Sequence, residues 1–300
     1  MWEINLRSIV MQYAIAAIVC FILQNMANKE FSRRFNCQIS GLALFNAIAL
    51  TFCAGAIALA GGAAVPLSGG ALALAAVFAV NFVITVMLIV VSMSMGPMGA
   101  TVLIINMSMM LPVTAGIVAW GESPTALKLI GIGCMILVLV LSALGGKGDP
   151  KRGGIKWLLL TIITMICNGV LSIQQKLLSL WFPGDSATSF SFTAFAIAAL
   201  LCWALVLIFK LRGADFGQWL SKRGQLTMCA AGVGLGTAGG NTFQLLALTQ
   251  LPAIVAFPLV QGSVVLSLWV LSLIIYRDKV TLAGVLSLIA GIAGIIMLSL

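Results

Sequence analysis

The chain contains no histidine, so it lacks the commonest proton shuttle and the commonest metal ligand of proteins. Its seven cysteines stand singly and form no CxxC pair, which indicates neither a zinc site nor a disulfide framework. Acidic residues are also scarce, with only seven in 300. We therefore expect no metal and no other cofactor.

Charged residues make up only 8% of the chain, whereas hydrophobic residues make up 62% and the mean hydropathy is +1.18. A soluble domain of this length could not hide so much apolar surface, so lipid must be the solvent for most of it. The net charge of +9 does not indicate a nucleic-acid partner, because the basic residues lie in short turns between apolar runs. The composition predicts a multi-pass protein of the cell membrane, with the lipid bilayer as its surroundings.

Ten stretches satisfy the requirement for a membrane-crossing helix, which is about 20 mainly apolar residues. They lie at roughly 8–28, 39–60, 70–94, 97–119, 126–145, 155–178, 187–210, 225–249, 252–275 and 281–299. Transmembrane strands are disfavoured, since they are about 9–11 residues long and alternate polar with apolar side chains. The predicted fold class is an all-α membrane protein with ten transmembrane helices.

One pattern occurs twice, once from Pro97 and again from Pro252. Each copy has an amide nine residues after the proline, a serine two residues later, and an acid followed three residues on by a threonine. The matching pairs are Pro97 with Pro252, Asn106 with Gln261, Ser108 with Ser263, Glu122 with Asp278, and Thr125 with Thr281. A repeat of this period in a membrane protein is typical of two structural halves.

The two halves are predicted to be inverted relative to each other. The first would cover residues 1–146 and the second residues 155–300, joined by the basic, glycine-rich linker 147–154. Five helices per half is an odd number, so the halves would cross the membrane in opposite directions. Most basic residues fall on one side of the ten-helix arrangement, and the positive-inside rule then leaves both termini outside.

Ten spans from a duplicated five-helix unit resemble the drug/metabolite transporter (DMT) superfamily in its EamA-like branch. The motif residues that carry the resemblance are Gly96, Pro97, Gly121, Glu122, Thr125 and Gly131. The resemblance covers essentially the whole chain. It implies a carrier for small metabolites whose central cavity is lined by the first, third, fourth, sixth, eighth and ninth helices. The fifth and tenth helices would be peripheral.

The chain departs from this resemblance in two respects. Relatives of the small multidrug resistance type carry a proton-coupling glutamate eight residues before a lysine, but the corresponding positions here hold Phe21 and Asn168, which do not ionise. Family members also have cytoplasmic termini, in conflict with the positive-inside prediction. All seven acids lie at predicted span ends or in loops, so a catalytic acid–base pair in mid-membrane is poorly supported and we expect no enzyme activity.

Amide side chains are concentrated in the helices that the resemblance places around the cavity. Asn106 and Gln261, equivalent in the two halves, are the first candidates for substrate contact, and Asn168 and Gln175 are the next. The remaining candidates are Asn25, Asn81, Asn241 and Gln244. An amide is both donor and acceptor, which suits a neutral or zwitterionic solute. The alternative for each amide is a hydrogen bond between helices, worth about 1 kcal/mol or less.

Two lysines and a glycine run allow both structural and functional interpretations. Lys29 and Lys176 could attract anionic substrates at the cavity mouths, but we favour snorkelling of their ammonium groups to the lipid headgroups. The stretch 232–240 is rich in glycine yet has no preceding strand and no lysine to hold phosphate. Close helix packing is therefore predicted there rather than a phosphate-binding loop.

The sequence thus predicts a carrier that moves a small polar organic metabolite by alternating access and works as a single chain. Such a metabolite would resemble an amino acid, a sugar or a nucleoside. Within transport, the alternative is an exporter of drugs or toxic metabolites. The alternative of another class is a membrane-embedded enzyme or a lipid-handling scaffold, which would require acids, histidines or a serine–base pair at one membrane depth.

Overall fold

The computed structural model describes residues 2–35, 38–63, 65–95, 101, 104–105, 107–145, 154–275 and 282–299. Within these residues the main helices are α1 (Trp2–Arg34), α2 (Ile39–Ile57), α3 (Gly69–Met95), α4 (Met110–Ala119), α5 (Ala126–Gly145), α6 (Ile155–Trp181), α7 (Ala187–Leu211), α8 (Arg223–Leu248), α9 (Ala253–Ile275) and α10 (Leu282–Ser299). Short helical turns add Ala58–Gly62 after α2, Met107–Met109 before α4 and Gly217–Leu220 before α8. No strand occurs in the described part of the chain, so the all-α prediction is confirmed there.

Five stretches of described helix are long and apolar enough to cross a membrane. They are Met11–Phe31, Ile39–Gly62, Gly69–Ile89, Ile155–Trp181 and Ala187–Leu211. Two shorter apolar helices are Met107–Ala119 and Ala253–Val264. The protein is therefore compatible with a membrane location, while the full set of ten spans stays a prediction.

Large apolar side chains cover much of the outer surface. Leu59, Leu200 and Met228 are among the most exposed, and α6 and α10 also present several isoleucines to the outside. Extended apolar surface of this kind is unusual on a soluble monomer and is suited to contact with lipid.

The helices pack in matching pairs. Helix α1 packs against α8 and α9, and α6 packs against α3 and α4. Likewise α2 contacts α7 and α8, while α7 contacts α2 and α3. Helix α4 packs against α9, and α5 against α10. Exchanging the first five helices for the last five leaves these relations unchanged.

Glycines in α8 allow the backbones of α1 and α2 to come very close. A Cβ atom added at Gly236 would lie 2.7 Å from the carbonyl oxygen of Cys20 in α1, and one at Gly234 would lie even closer to the carbonyl oxygen of Ala49 in α2. Because both obstacles are backbone atoms, no side-chain rearrangement could make room. The prediction of close helix packing at 232–240 is confirmed.

Aromatic packing fixes the position of α3 beside α7. The Phe78 ring meets Phe190 and Phe195 edge to face, with ring centroids 5.9 and 6.0 Å apart. These buried rings belong to the largest apolar cluster, which joins α2, α3 and α7. Helix α3 also packs against α6, where the polar side chains lie.

Several predicted features lie outside the described residues. They are Asn106, Pro97, Asp278, Thr281 and, except for Gly154, the linker 147–154.

Candidate functional site

Helix α6 carries a stripe of buried polar side chains along one side. Thr161, Thr164, Asn168 and Gln175 are separated by three, four and seven residues, which brings them onto one helix face. Both threonines and Gln175 are buried. Asn168 and Gln175 are site residues predicted from the sequence, whereas the two threonines were not predicted, although their helical spacing places them on the same face.

The N-terminal part of this stripe binds α3 and the turn before α4. The Thr164 hydroxyl donates to the Leu160 carbonyl at 2.8 Å, so Ser92 of α3 is the donor in the 3.1 Å bond between Ser92 and Thr164. One turn later, Asn168 Nδ2 donates to Ser108 Oγ at 2.7 Å. These bonds join α6 to helices of the first half of the sequence.

Asn81 continues the contact between α3 and α6. Its Nδ2 donates to the Cys167 carbonyl at 3.1 Å and to Gln174 Oε1 at 3.4 Å. The same side chain borders a shallow, otherwise apolar groove of about 370 Å³ along α3. Asn81 thus makes hydrogen bonds between helices, which is the alternative to substrate contact, and it lies at the edge of an open groove.

The C-terminal part of the stripe meets two amides of α8 in a chain of hydrogen bonds, which we call the amide relay (Gln175, Asn241 and Gln244). Gln175 Nε2 donates to Asn241 Oδ1 at 2.9 Å, and Gln244 Nε2 donates to Gln175 Oε1 at 2.9 Å. Asn241 Nδ2 in turn donates to the Thr237 carbonyl at 3.0 Å. Three residues predicted separately for the site are therefore in direct contact.

A largely buried ion pair lies beside the amide relay. Gly121 adopts a left-handed φ of 63°, a conformation that glycine takes without strain, and turns the chain so that Glu122 follows at the end of α4. The Glu122 carboxylate accepts from the backbone N–H groups of Ala253 at 2.9 Å and Ile254 at 3.0 Å, which are the first residues of α9. A carboxylate is favourable there, because the N-terminus of a helix carries partial positive charge.

Lys176 is the partner of Glu122, and its predicted snorkelling is wrong. The side chain is buried, with Nζ donating to the carbonyls of Leu248 at 3.2 Å and Leu251 at 3.1 Å. Nζ also lies 3.9 Å from Glu122 Oε1. The Leu248 carbonyl, at the C-terminal end of α8, carries partial negative charge, and together with the Leu251 carbonyl of the following turn it holds the ammonium inside the protein. Glu122 and Lys176 thus bind opposite sides of the α8–α9 turn.

The structure does not bring every candidate into this cluster. Asn25 is exposed on α1, and its Nδ2 donates to the Phe21 carbonyl of the same helix at 2.8 Å. Gln261 is half-buried on α9 and has no hydrogen-bond partner among the described residues. The candidates joined directly or through neighbouring positions of α6 are Asn81, Asn168, Gln175, Asn241 and Gln244.

A second carboxylate connects loops outside the spans. Asp185, between α6 and α7, accepts from the Ser68 backbone N–H at 2.8 Å and from the Ser68 hydroxyl at 2.5 Å. These hydrogen bonds hold the pKa of Asp185 below its usual value. Ser68 immediately precedes α3, so Asp185 fixes the start of α3 near the end of α6.

Comparison with known proteins gives a likeness of fold. No known protein family and no curated protein matches this sequence. Among solved structures, 28 chains match. One is a crystal structure of a protein that is 14% identical and superposes with a TM-score of 0.71 over 97% of this chain and 96% of the other. At such low identity the likeness establishes a shared fold and says nothing of activity.

Proposed function

We propose that this protein is a carrier of the cell membrane that moves a small polar organic solute across the bilayer by alternating access. The observation that carries the proposal is the amide relay, in which Gln175 of α6 bonds to Asn241 and Gln244 of α8. Polar groups in an apolar environment are costly unless they are hydrogen-bonded, and the relay concentrates three amides at one contact between two helices. A site that replaces the water around a polar solute accounts for this concentration.

The pairing of helices supports two related halves. In the proposed arrangement, residues 1–146 and 155–300 form inverted five-helix repeats that rock against each other. Such repeats would give each helix contact a counterpart in the other half, and the packing of α1 on α8 has its counterpart in the packing of α6 on α3. The motif resemblance to the EamA-like branch of the drug/metabolite transporter superfamily agrees with this arrangement and is part of the proposal.

The chemistry of the relay favours a neutral or zwitterionic solute. Amides donate and accept hydrogen bonds but do not titrate near neutral pH, so the relay supplies no proton coupling of its own. Facilitated transport or exchange is therefore the proposed mode. Because α6 bonds to α3, to the turn before α4 and to α8, rocking of the halves would change the hydrogen bonds around a solute held at α6.

The test is uptake into proteoliposomes that contain the purified protein. Labelled amino acids, sugars and nucleosides are offered in turn, and one class is expected to enter faster than into protein-free vesicles. Replacing Gln175 by Ala is expected to lower that uptake at least about tenfold, by analogy with the loss of a specific polar contact. Asn46→Ala is the control, since the one hydrogen bond of the Asn46 amide to the described residues goes to the Leu42 carbonyl of its own helix, α2.

A further variant tests the pair of equivalent amides. Combined Asn106→Ala and Gln261→Ala substitutions are expected to reduce uptake by a similar factor, and unchanged uptake would remove both from the site. Absence of uptake for all three solute classes would contradict the proposed function. Protection of cells against cationic dyes by the expressed protein would instead identify a drug exporter.

A further inference from the structure

The orientation of every amide in the relay follows from one backbone atom. The Thr237 carbonyl can only accept, so the Asn241 group that faces it must be the donor Nδ2. Asn241 Oδ1 then faces Gln175, which must present Nε2 to it. Gln175 Oε1 consequently faces Gln244, which must donate through its own Nε2. The relay therefore ends at Gln244 Oε1.

This terminal oxygen has no hydrogen-bond partner in the part of the chain that the structure describes. Gln244 is only 3% exposed, and its Oε1 is buried there without a donor. Buried acceptors are almost always satisfied, because an unpaired one has lost its water and gained nothing in exchange. Rotating the Gln244 amide by about 180° would not provide a donor, since it would place the Gln244 oxygen against another acceptor, Gln175 Oε1. None of the described residues supplies the donor that this oxygen lacks.

The charges nearby determine what kind of donor fits. Gln244 precedes Leu248 by one helical turn, and the Leu248 carbonyl binds the Lys176 ammonium. Lys176 is compensated by Glu122 and by the Leu248 and Leu251 carbonyls, so the formal charges of this cluster cancel. An ion with a net charge would enter without a counter-charge, which is unfavourable in a buried site. A donor on a solute of zero net charge avoids that cost.

We propose that Gln244 Oε1 accepts a hydrogen bond from an N–H or O–H group of a solute with no net charge. Suitable donors are a carboxamide, a sugar hydroxyl or a ring N–H of a nucleobase. Gln175 is a positioning residue here, because it holds the Gln244 amide in the orientation that presents the oxygen. This inference rests on the proposed function and specifies the solute that it requires.

Matched pairs of solutes that differ by one donor test the proposal. The pairs are L-glutamine with its N,N-dimethylamide, D-glucose with 3-O-methyl-D-glucose, and uridine with 3-methyluridine. Binding to the detergent-purified protein is measured from the shift in melting temperature, and uptake is measured in proteoliposomes. In at least one pair the donor-bearing solute is expected to bind about tenfold more tightly, since its analogue leaves the buried oxygen unpaired.

The decisive variant is Gln244→Met, which removes the oxygen and keeps a similar side-chain volume. It is expected to bring the two affinities within about twofold of each other, because no acceptor remains to be satisfied. The ratio within a pair is the readout, since general damage to the fold weakens both solutes alike. The matched control is Gln174→Met, which removes a buried amide whose oxygen already accepts from Asn81 and should leave the ratio unchanged.

The outcomes separate this inference from the proposed function. Equal affinities within every pair, a ratio that survives Gln244→Met, or no binding by any of the six solutes would overturn the inference. If the affinities are equal, or if the ratio survives Gln244→Met, but the proteoliposomes still take up solute, the carrier function stands without this contact. Donor-dependent binding without uptake would instead support the contact and overturn the carrier. If Gln244→Met does not fold, Gln244→Leu replaces it, and failure of both would make Gln244 a purely structural residue.

Discussion

The ion pair beside the α8–α9 turn gives the most quantitative prediction. Glu122 and Lys176 are 3.9 Å apart, and their side chains are only 13% and 9% exposed. Two unit charges at that distance attract by about 4 kcal/mol at an effective dielectric constant of 20. The net stabilisation is smaller, because both charges lose hydration and each is also bound by backbone groups at a helix end. We therefore expect a measured coupling energy of about 1–2 kcal/mol.

The perturbations are Glu122→Gln, Lys176→Met and the two combined. Glu122→Gln retains one acceptor oxygen but removes the charge from two N–H bonds, so it should lower the free energy of unfolding by about 1–3 kcal/mol. Lys176→Met keeps the apolar stem but leaves a buried carboxylate without its partner, at a cost of about 3–5 kcal/mol. The double variant should lose less free energy of unfolding than the two single variants together, because neither charge is then left without its partner.

Equilibrium unfolding in mixed detergent–SDS micelles measures all four proteins of this cycle. The comparison pair is Glu30 with Arg34 on α1, whose side chains are 33% and 41% exposed. An exposed pair of this kind contributes about 1 kcal/mol or less, so Glu30→Gln should have a small effect. Strict additivity of the Glu122 and Lys176 variants, within about 0.5 kcal/mol, would refute the proposed electrostatic coupling across the turn.

Two further predictions concern packing and pH. Gly236→Ala should destabilise the protein by about 1–3 kcal/mol in the same unfolding assay, because its Cβ would meet the Cys20 carbonyl. Gly224→Ala is the control and should not destabilise the protein, since a Cβ there meets nothing within 4 Å. Equal losses of stability in the two variants would contradict the close approach of α8 to α1. Hydrogen bonds from Ser68 lower the folded-state pKa of Asp185, so its stabilising contribution is complete above the unfolded pKa and is lost as pH falls through the folded pKa. Melting temperatures between pH 7 and pH 3 should therefore fall less steeply in Asp185→Asn than in the wild type, and parallel curves would argue against this contribution.

Some parts of the site could be predicted from sequence because they depend on local spacing. The amides Asn168 and Gln175 are seven residues apart in one apolar helix, so a shared face follows from helical geometry alone. The close packing of α8 could likewise be predicted from its glycine run, since small residues in an apolar helix indicate close packing whichever helix is the partner.

Other parts depended on contacts that no local pattern contains. Lys176 looks like a snorkelling lysine because it stands near the end of a helix, yet its ammonium binds the Leu248 carbonyl, 72 residues away. Glu122 looks like a loop acid, yet it caps a helix that begins 131 residues later. Both assignments required knowing that the ends of α4 and α6 meet the turn between α8 and α9.

Composition and periodicity by themselves predicted that the chain is helical, that several helices are long and apolar enough to cross a membrane and that the polar side chains are concentrated in particular helices. These properties follow from the residues of each segment, because hydrophobicity and helical spacing are local. Only the tertiary structure decided which amides meet, which oxygen is left without a donor and which charges are paired. Those outcomes depend on the rotation and register of helices distant in sequence, and a shift of a single turn would exchange every partner.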